Sequence, residues 1–383
     1  MYLKIRRAIN LERFFIVMEQ SLSSLFNFFV VILLSHGSPE LVASYGVAFS
    51  FSLVISGIFR NSVFTPFITS NTTSSLALIK GCIASSFSLY VSAPILLILM
   101  YLSYSGALVF SLPIIFYFFI LELVKVTALA KDNMRKVAFF TTFSYLLILL
   151  LFYSGYSSFS FLVGSAFVAL VFLFFLVLDK GTSEELVCVG GRDAFILSMS
   201  FSIYSHAPLW FLNLVVPGAA SLYVQIRSLF QPIQIISRAV DLIEKKNASV
   251  SEDYGISRLN NVLTYHLVFG GIGVAFLCAF SLFFFEDLYA VDLNFYSAIS
   301  VGIYAILGLA MFVSKPIETV FFKMSFLSQL TVSRIIGSIA MLAIFFIGFY
   351  ISVEYVLIYI LFFQAITWMT MLGLNYSQAK KLL

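Results

Sequence analysis

The residues best suited to chemistry lie on one segment just past the middle of the chain. Tyr223, Arg227, Gln231, Gln234, Arg238 and Asp241 are separated by 4, 4, 3, 4 and 3 positions. At about 100° per residue this series stays within one helical stripe about 80° wide. The residues between are largely apolar. Such a helix turns a polar face to a cavity or a partner helix, not to lipid. Counting about 1.5 Å per residue from Gly218, Arg227 lies roughly 13 Å down, near the midplane of a bilayer. Arg238 lies roughly 30 Å down, where a long side chain reaches water. Arg227 is therefore either a substrate-binding cation or one half of a buried ion pair. Arg238 and Arg60 read as inner-surface anchors or as further substrate contacts. A guanidinium suits phosphate, because its planar fork matches two oxygens at once.

Other polar groups sit in apolar surroundings. A charge in hydrocarbon costs several kcal/mol, so each needs a reason. Ser198, Ser200, Ser202, Tyr204, Ser205 and His206 precede Pro208. His206 can relay a proton or serve as a hydrogen-bonded packing residue. Glu19 falls roughly 8 Å from the inner surface and can titrate, pair with a cation or line a vestibule. Glu122 and Lys125 are three apart on one helix face, which predicts an intrahelical ion pair. Lys315 and Glu318 repeat that spacing around Pro316. Glu19, His206, Glu122 and Asp241 are the candidates for ion coupling.

These groups are carried by a chain made for lipid. Of its 383 residues, 61% are hydrophobic and 10% charged, and the mean hydropathy is +1.04. A soluble domain carries roughly 25% charged residues. Twelve apolar segments of spanning length fall near 14–34, 42–66, 76–101, 107–130, 137–154, 158–178, 194–216, 218–242, 262–285, 289–313, 328–350 and 353–373. The fold class is all-α and polytopic. The first run is long enough to span and no small-residue cleavage pattern follows it, which argues against a cleaved leader.

Charge distribution sets the topology. Lys4, Arg6, Arg7 and Arg13 precede the first segment. Lys80, then Lys131, Arg135 and Lys136, then Lys180 and Arg192, then Lys245, Lys246 and Arg258, then Lys315 and Lys323 mark the even connections. Lys380 and Lys381 end the chain. The odd connections hold no Lys or Arg. The positive-inside rule then places both termini in the cytoplasm. Glycosylation-like triplets at Asn71, Asn247 and Asn375 all fall on that side and are chance matches.

The two halves match weakly at a fixed offset of 178. Pro39 meets Pro217, Tyr45 meets Tyr223, Ser50 meets Ser228 and Arg60 meets Arg238. The expected units are a six-helix bundle over 1–180, a cytoplasmic linker over 181–193 and a second bundle over 194–383. Six is even, so the repeats run parallel, as in carriers that bind between halves and rock.

Several chemistries are not expected. Cys82, Cys188 and Cys278 are far apart, and the three histidines have no ligand spacing. No metal, cofactor or nucleic-acid partner is implied. Gly270, Gly271 and Gly273 lie inside an apolar span with no phosphate-loop context; they read as close helix packing. The chain therefore carries no ATP-binding loop of its own.

The stretch FIVMEQSLSSLFNFFVVILLSHGSPELVASYGVAFSFSLVISGIFRNSVFTPF, and its echo PLWFLNLVVPGAASLYVQIRSLFQPIQIISR, resemble the paired opening helices of Wzx-type oligosaccharide flippases of the MOP exporter superfamily. The resemblance covers the whole architecture but rests on diffuse patterns. It implies two six-helix bundles around a cationic cavity in the bacterial inner membrane. It also implies export of undecaprenyl-pyrophosphate-linked oligosaccharide for O-antigen, lipopolysaccharide or other surface polysaccharide. A lipid-linked oligosaccharide, membrane lipids, a polysaccharide polymerase and a chain-length regulator would be its partners, with H+ or Na+ as coupling ion. The pyrophosphate would account for Arg227, and the sugar for the Ser, Tyr and Gln groups. An ion-coupled drug or metabolite antiporter on the same fold, and a membrane glycan polymerase, are the competing readings. The polymerase fits less well, because every outward connection is short and lacks basic groups. No catalytic residue is assigned, and the chain reads as a transporter and not an enzyme.

Overall fold

A computed structural model describes residues 2–59, 63–64, 67, 74–84, 108–131, 134–177, 191–233, 255–323, 327–348, 350 and 355–383. Among these, twelve α-helices follow in order. They are α1 (Tyr2–Ser35), α2 (Pro39–Phe59), α3 (Ser75–Ala84), α4 (Leu108–Ala130), α5 (Met134–Tyr153) and α6 (Ser157–Val177), then α7 (Gly191–Val215), α8 (Pro217–Leu229), α9 (Ile256–Tyr289), α10 (Phe295–Lys323), α11 (Leu327–Gly348) and α12 (Val356–Leu382). Each overlaps one of the twelve apolar segments, and the described residues contain no strand. Eight of the helices are long and apolar enough to cross a bilayer. The chain is a multi-pass membrane protein. Helices suit lipid because they satisfy the backbone within the segment.

The turns follow local chemistry. Between α5 and α6 the chain reverses at Gly155, whose φ is +84°. The Tyr156 amide donates to the Leu151 carbonyl at 2.9 Å, closing the helix end in a Schellman-type bond. Between α7 and α8 only Val216 intervenes, and Pro217 opens the next helix at a position where its missing N–H costs nothing. Asn294 caps α10, its Oδ1 accepting from the Ser297 amide at 2.9 Å.

Some boundaries differ from the sequence expectation. The tenth apolar segment stops at 313, but α10 continues through Lys315 and Pro316 to Lys323. The charges that ended the apolar run are satisfied there, as Lys315 Nζ lies 3.0 Å from Glu318 Oε2. In the other direction, the apolar segment over 218–242 predicts one continuous helix, but α8 is interrupted after Leu229, where the Phe230 amide donates back to Ile226 and Ser228, before helical structure resumes over 231–233. Pro232 explains the break. It has no N–H for the Ser228 carbonyl, and its ring crowds that oxygen.

The chain divides into two compact units, residues 1–33 with 44–202, and residues 34–43 with 203–383. In the first, α4 and α5 pack on α6. Its core is aromatic: Phe26 stacks on Tyr145 with centroids 4.5 Å apart, and Tyr117, Phe118 and Phe161 close around them. In the second, α10 packs on α9 and α12, and α11 on α12. Phe211 stacks on Phe345 at 4.8 Å, and Tyr223 meets Tyr304 edge-on at 5.8 Å. Outward faces carry large apolar side chains such as Phe283, Phe346 and Tyr350, as lipid solvation requires.

The repeat offset reappears in local geometry. α2 and α8 begin at Pro39 and Pro217. Ser50 Oγ donates to the Val47 carbonyl at 2.7 Å, and Ser228 Oγ to the Gln225 carbonyl at 2.8 Å. Tyr45 and Tyr223 are both buried.

The glycine cluster of α9 resolves into distinct roles. A Cβ on Gly270 would come within 2.8 Å of the Phe312 ring on α10, whereas one on Gly271 meets nothing within 4 Å. Gly270→Leu should therefore destabilise the fold by about 1–3 kcal/mol through overpacking. Gly271→Ala should be neutral or stabilising by up to about 1 kcal/mol. Thermal unfolding of the two purified variants checks the contrast.

Candidate functional site

Arg227 lies on α8, the shorter arm of a tight hairpin with α7. His206 is ten residues before Val216 and Arg227 eleven after it, so the two helices bring them to one level. Arg227 Nη1 lies 3.3 Å from His206 Nδ1. His206 is buried and Arg227 half-buried. Arginine stays protonated in proteins, so in this contact Nδ1 is the acceptor and His206 is the neutral imidazole, with its proton on Nε2. Among the described residues Arg227 makes no ion pair with a carboxylate.

Around this pair the side chains are polar but uncharged. Tyr223, one turn back on α8, lies close to the Arg227 guanidinium and to the Gln364 amide of α12. Gln364 Nε2 donates to the Tyr204 carbonyl of α7 at 3.4 Å. One turn on from Gln364, Trp368 lies against the Tyr204 ring at 4.9 Å. Among the described residues, Tyr204 Oη, Ser205 Oγ, Gln364 Oε1 and Trp368 Nε1 are buried without a hydrogen-bond partner. Such atoms ordinarily cost about 1–3 kcal/mol each, so four in one neighbourhood suit a region built to meet water or a polar solute. Gln364 and Trp368 were missed from sequence. The signal was present, because Gln364 interrupts a long apolar run. A separate apolar groove of about 270 Å³, bordered by Val216, Leu222, Tyr296 and Leu357, carries no charged group and plays no part in this chemistry.

The other predicted site residues fall elsewhere. Gln231, half-buried, follows the turn at Phe230, and helical structure resumes over 231–233. Gln234, Arg238, Asp241 and Arg60 lie outside the described residues.

In the first unit Glu19 is fully buried. Lys125 Nζ of α4 lies 2.6 Å from Glu19 Oε1. Tyr145 of α5 donates its hydroxyl to the same oxygen at 3.3 Å, and Gln20 Nε2 donates to Oε2 at 3.3 Å. The expected intrahelical pair of Lys125 with Glu122 is replaced by this bond between helices. Helical spacing gave Lys125 a neighbour on its own helix, but the packing of α1 against α4 supplied a fully desolvated carboxylate. Glu122 is half-buried one turn away. On α2, Tyr45 donates its hydroxyl to Asn27 of α1.

A third charged cluster joins Lys315 and Glu318 to Arg334 of α11, whose Nη2 lies 3.4 Å from Glu318 Oε2. The intrahelical half was expected from spacing; Arg334 was not. Among the described residues no group of His, Cys, Asp and Glu side chains could hold a metal ion.

The Glu19–Lys125 bond predicts a stability signature. Lys125→Met leaves a buried carboxylate without its counter-charge and should cost about 3–5 kcal/mol. Adding Glu19→Gln should recover most of that loss. Thermal unfolding of the single and double variants measures the coupling.

No protein-family model and no curated protein matches at the level of sequence. Solved structures do. A MATE transporter in complex with MaL6 superposes with TM-score 0.58 at 12% identity, over 98% of this chain and 96% of that one. The MATE multidrug transporter DinF-BH in complex with R6G gives 0.53 at 13% identity, over 97% and 95%. An outward-facing multidrug resistance MATE family transporter of the MOP superfamily gives 0.50 at 14% identity, over 98% and 96%. Identity this low speaks to architecture alone: the chain has the fold of the MATE transporters of the MOP superfamily.

Proposed function

We propose that this protein is a transporter that moves a phosphate-bearing amphipathic solute across the membrane by alternating access. The solute we favour is an undecaprenyl-pyrophosphate-linked oligosaccharide, carried from the cytoplasmic to the periplasmic leaflet for O-antigen or other surface polysaccharide assembly. One observation carries the reading. Arg227 sits half-buried in the last turn of α8 beside the His206 imidazole, with no carboxylate partner among the described residues. A charge so placed needs a counter-charge, and a substrate anion supplies it. The surrounding tyrosine, glutamine, serine and tryptophan groups offer hydrogen bonds of the kind sugar hydroxyls use.

The competing reading is an ion-coupled antiporter of drugs or metabolites. The fold favours it equally, since the matched structures are multidrug transporters. The charges favour it less. A cationic drug calls for an exposed acid, but Glu19 is buried and held by Lys125. In either reading, protonation of Glu19 would weaken its bond to Lys125, which joins two helices.

The reading places the protein in the bacterial inner membrane with both termini cytoplasmic, near the polymerase and chain-length regulator that would use its product. Cysteines at Tyr153 and Tyr350, both strongly exposed, should react with an impermeant reagent added from the periplasm. Cysteines near Lys381 should not.

The decisive experiment is a vesicle translocation assay with labelled lipid-linked oligosaccharide. Arg227→Ala should lose about tenfold to hundredfold in rate, the worth of a charged hydrogen bond of about 1.5–3 kcal/mol. Arg227→Lys should retain part, because it keeps the charge without the fork. Transport by the wild type that survives Arg227→Ala removes this residue from the site. Movement of cationic drugs and not of the lipid establishes the antiporter instead.

A further inference from the structure

We propose that His206 and Arg227 form a proton-linked anion site, in which binding of a phosphate-type anion is coupled to uptake of one proton by His206. The inference rests on the anion reading of Arg227 and adds a rule for how that site is loaded.

The geometry dictates the coupling. Arg227 Nη1 and His206 Nδ1 are 3.3 Å apart. The guanidinium always donates, so Nδ1 must present its lone pair. A proton on Nδ1 would set one N–H against another and bring two positive charges together in a buried setting, where such repulsion is strong. While His206 is the acceptor for Arg227, the imidazole is thus kept neutral.

An anion reverses each term. A phosphate oxygen takes over as acceptor for the guanidinium N–H. His206 Nδ1 then accepts a proton from hydronium supplied by the buffered solvent and donates it to another oxygen of the same anion. The bound state holds two donors and two positive charges against the anion; one O–H bond of hydronium breaks as the N–H bond forms at Nδ1, and the water returns to bulk. The added charge offsets the cost of burying a doubly charged group.

Among the described residues the groups facing the pair are Tyr204 and Ser205 on α7, Tyr223 on α8, Gln364 and Trp368 on α12, and Tyr304 of α10 against Tyr223. None is a carboxylate or a second cation. By linkage, the anion binds more tightly as pH falls, and each bound anion draws in up to one proton.

Isothermal titration calorimetry on the purified full chain tests this, with sulfate and pyrophosphate as probes. Sulfate carries no titrating proton between about pH 5 and 8, so it separates protein protons from ligand protons. Titrations in two buffers of different ionisation enthalpy give the proton number. The wild type should take up close to one proton per sulfate, and affinity should rise by up to about tenfold per pH unit on the alkaline side of the imidazole titration. His206→Gln keeps an acceptor for Arg227. It should bind more weakly, with no proton uptake and a flat pH profile, and His206→Asn should do the same. Arg227→Ala should not bind. Equal proton uptake in the wild type and His206→Gln overturns the linkage and leaves the anion site standing. Absence of binding by the wild type overturns both.

Discussion

A charge held in hydrocarbon must find a partner, and much of this molecule is arranged around how its buried charges do so. In the first unit Glu19 and Lys125 neutralise each other between α1 and α4, and Tyr145 of α5 fixes the same carboxylate. Three helices are tied at one point by a bond that is expensive to break because neither member can return to water. In the second unit Glu318 takes both Lys315 and Arg334, joining α10 to α11. α10 can then carry two charges past the point where its apolar run ends. Arg227 is the exception, because its partner is an imidazole. That exception is why function is sought there and not at the other two clusters.

Packing around these points is done by rings and by missing side chains. Phe26, Tyr117, Tyr145 and Phe161 fill the first unit with large flat surfaces at low entropic cost. Their hydroxyls are absorbed in pairs such as Tyr117 with Ser144, at 2.9 Å. Where helices come closer, glycine makes room. Gly270 admits the Phe312 ring, and Gly337 lies against Met371. Lipid offers no hydrophobic drive between helices, so such close fits and satisfied polar pairs must supply the cohesion.

Among the described residues of the second unit, four buried polar atoms on α7 and α12 lack partners beside the Arg227–His206 pair. A static core would replace such groups with apolar ones at little cost or some gain. Their retention fits a region that alternates between a closed arrangement and one open to water or solute. The architecture shared with multidrug transporters shows the fold alone, and the transport reading proposed above leans on the charge at Arg227. Fold alone does not choose between an anionic lipid-linked substrate and a cationic drug, because superfamily architecture hosts both kinds of site.

Much of the fold was legible in the chain by itself. Apolar length sets helix number, since a bilayer of fixed thickness admits only segments near one length. Gly155 and Pro217 mark real turns, because backbone geometry at glycine and proline is local. The spacing of Lys315 and Glu318 was enough to pair them, and the isolation of Arg227 was enough to single it out. What the sequence could not decide was partnership between helices. Lys125 had an acid at helical spacing but bonded to Glu19, more than a hundred residues away. Arg334 joined a pair that already looked complete. The meeting of His206 with Arg227, and of Tyr204 with Gln364 and Trp368, also waited on tertiary structure. Helical periodicity reports which face a residue occupies, but not which helix lies opposite. That choice is made by the packing of whole surfaces, so it belongs to the folded chain and to no single segment of it.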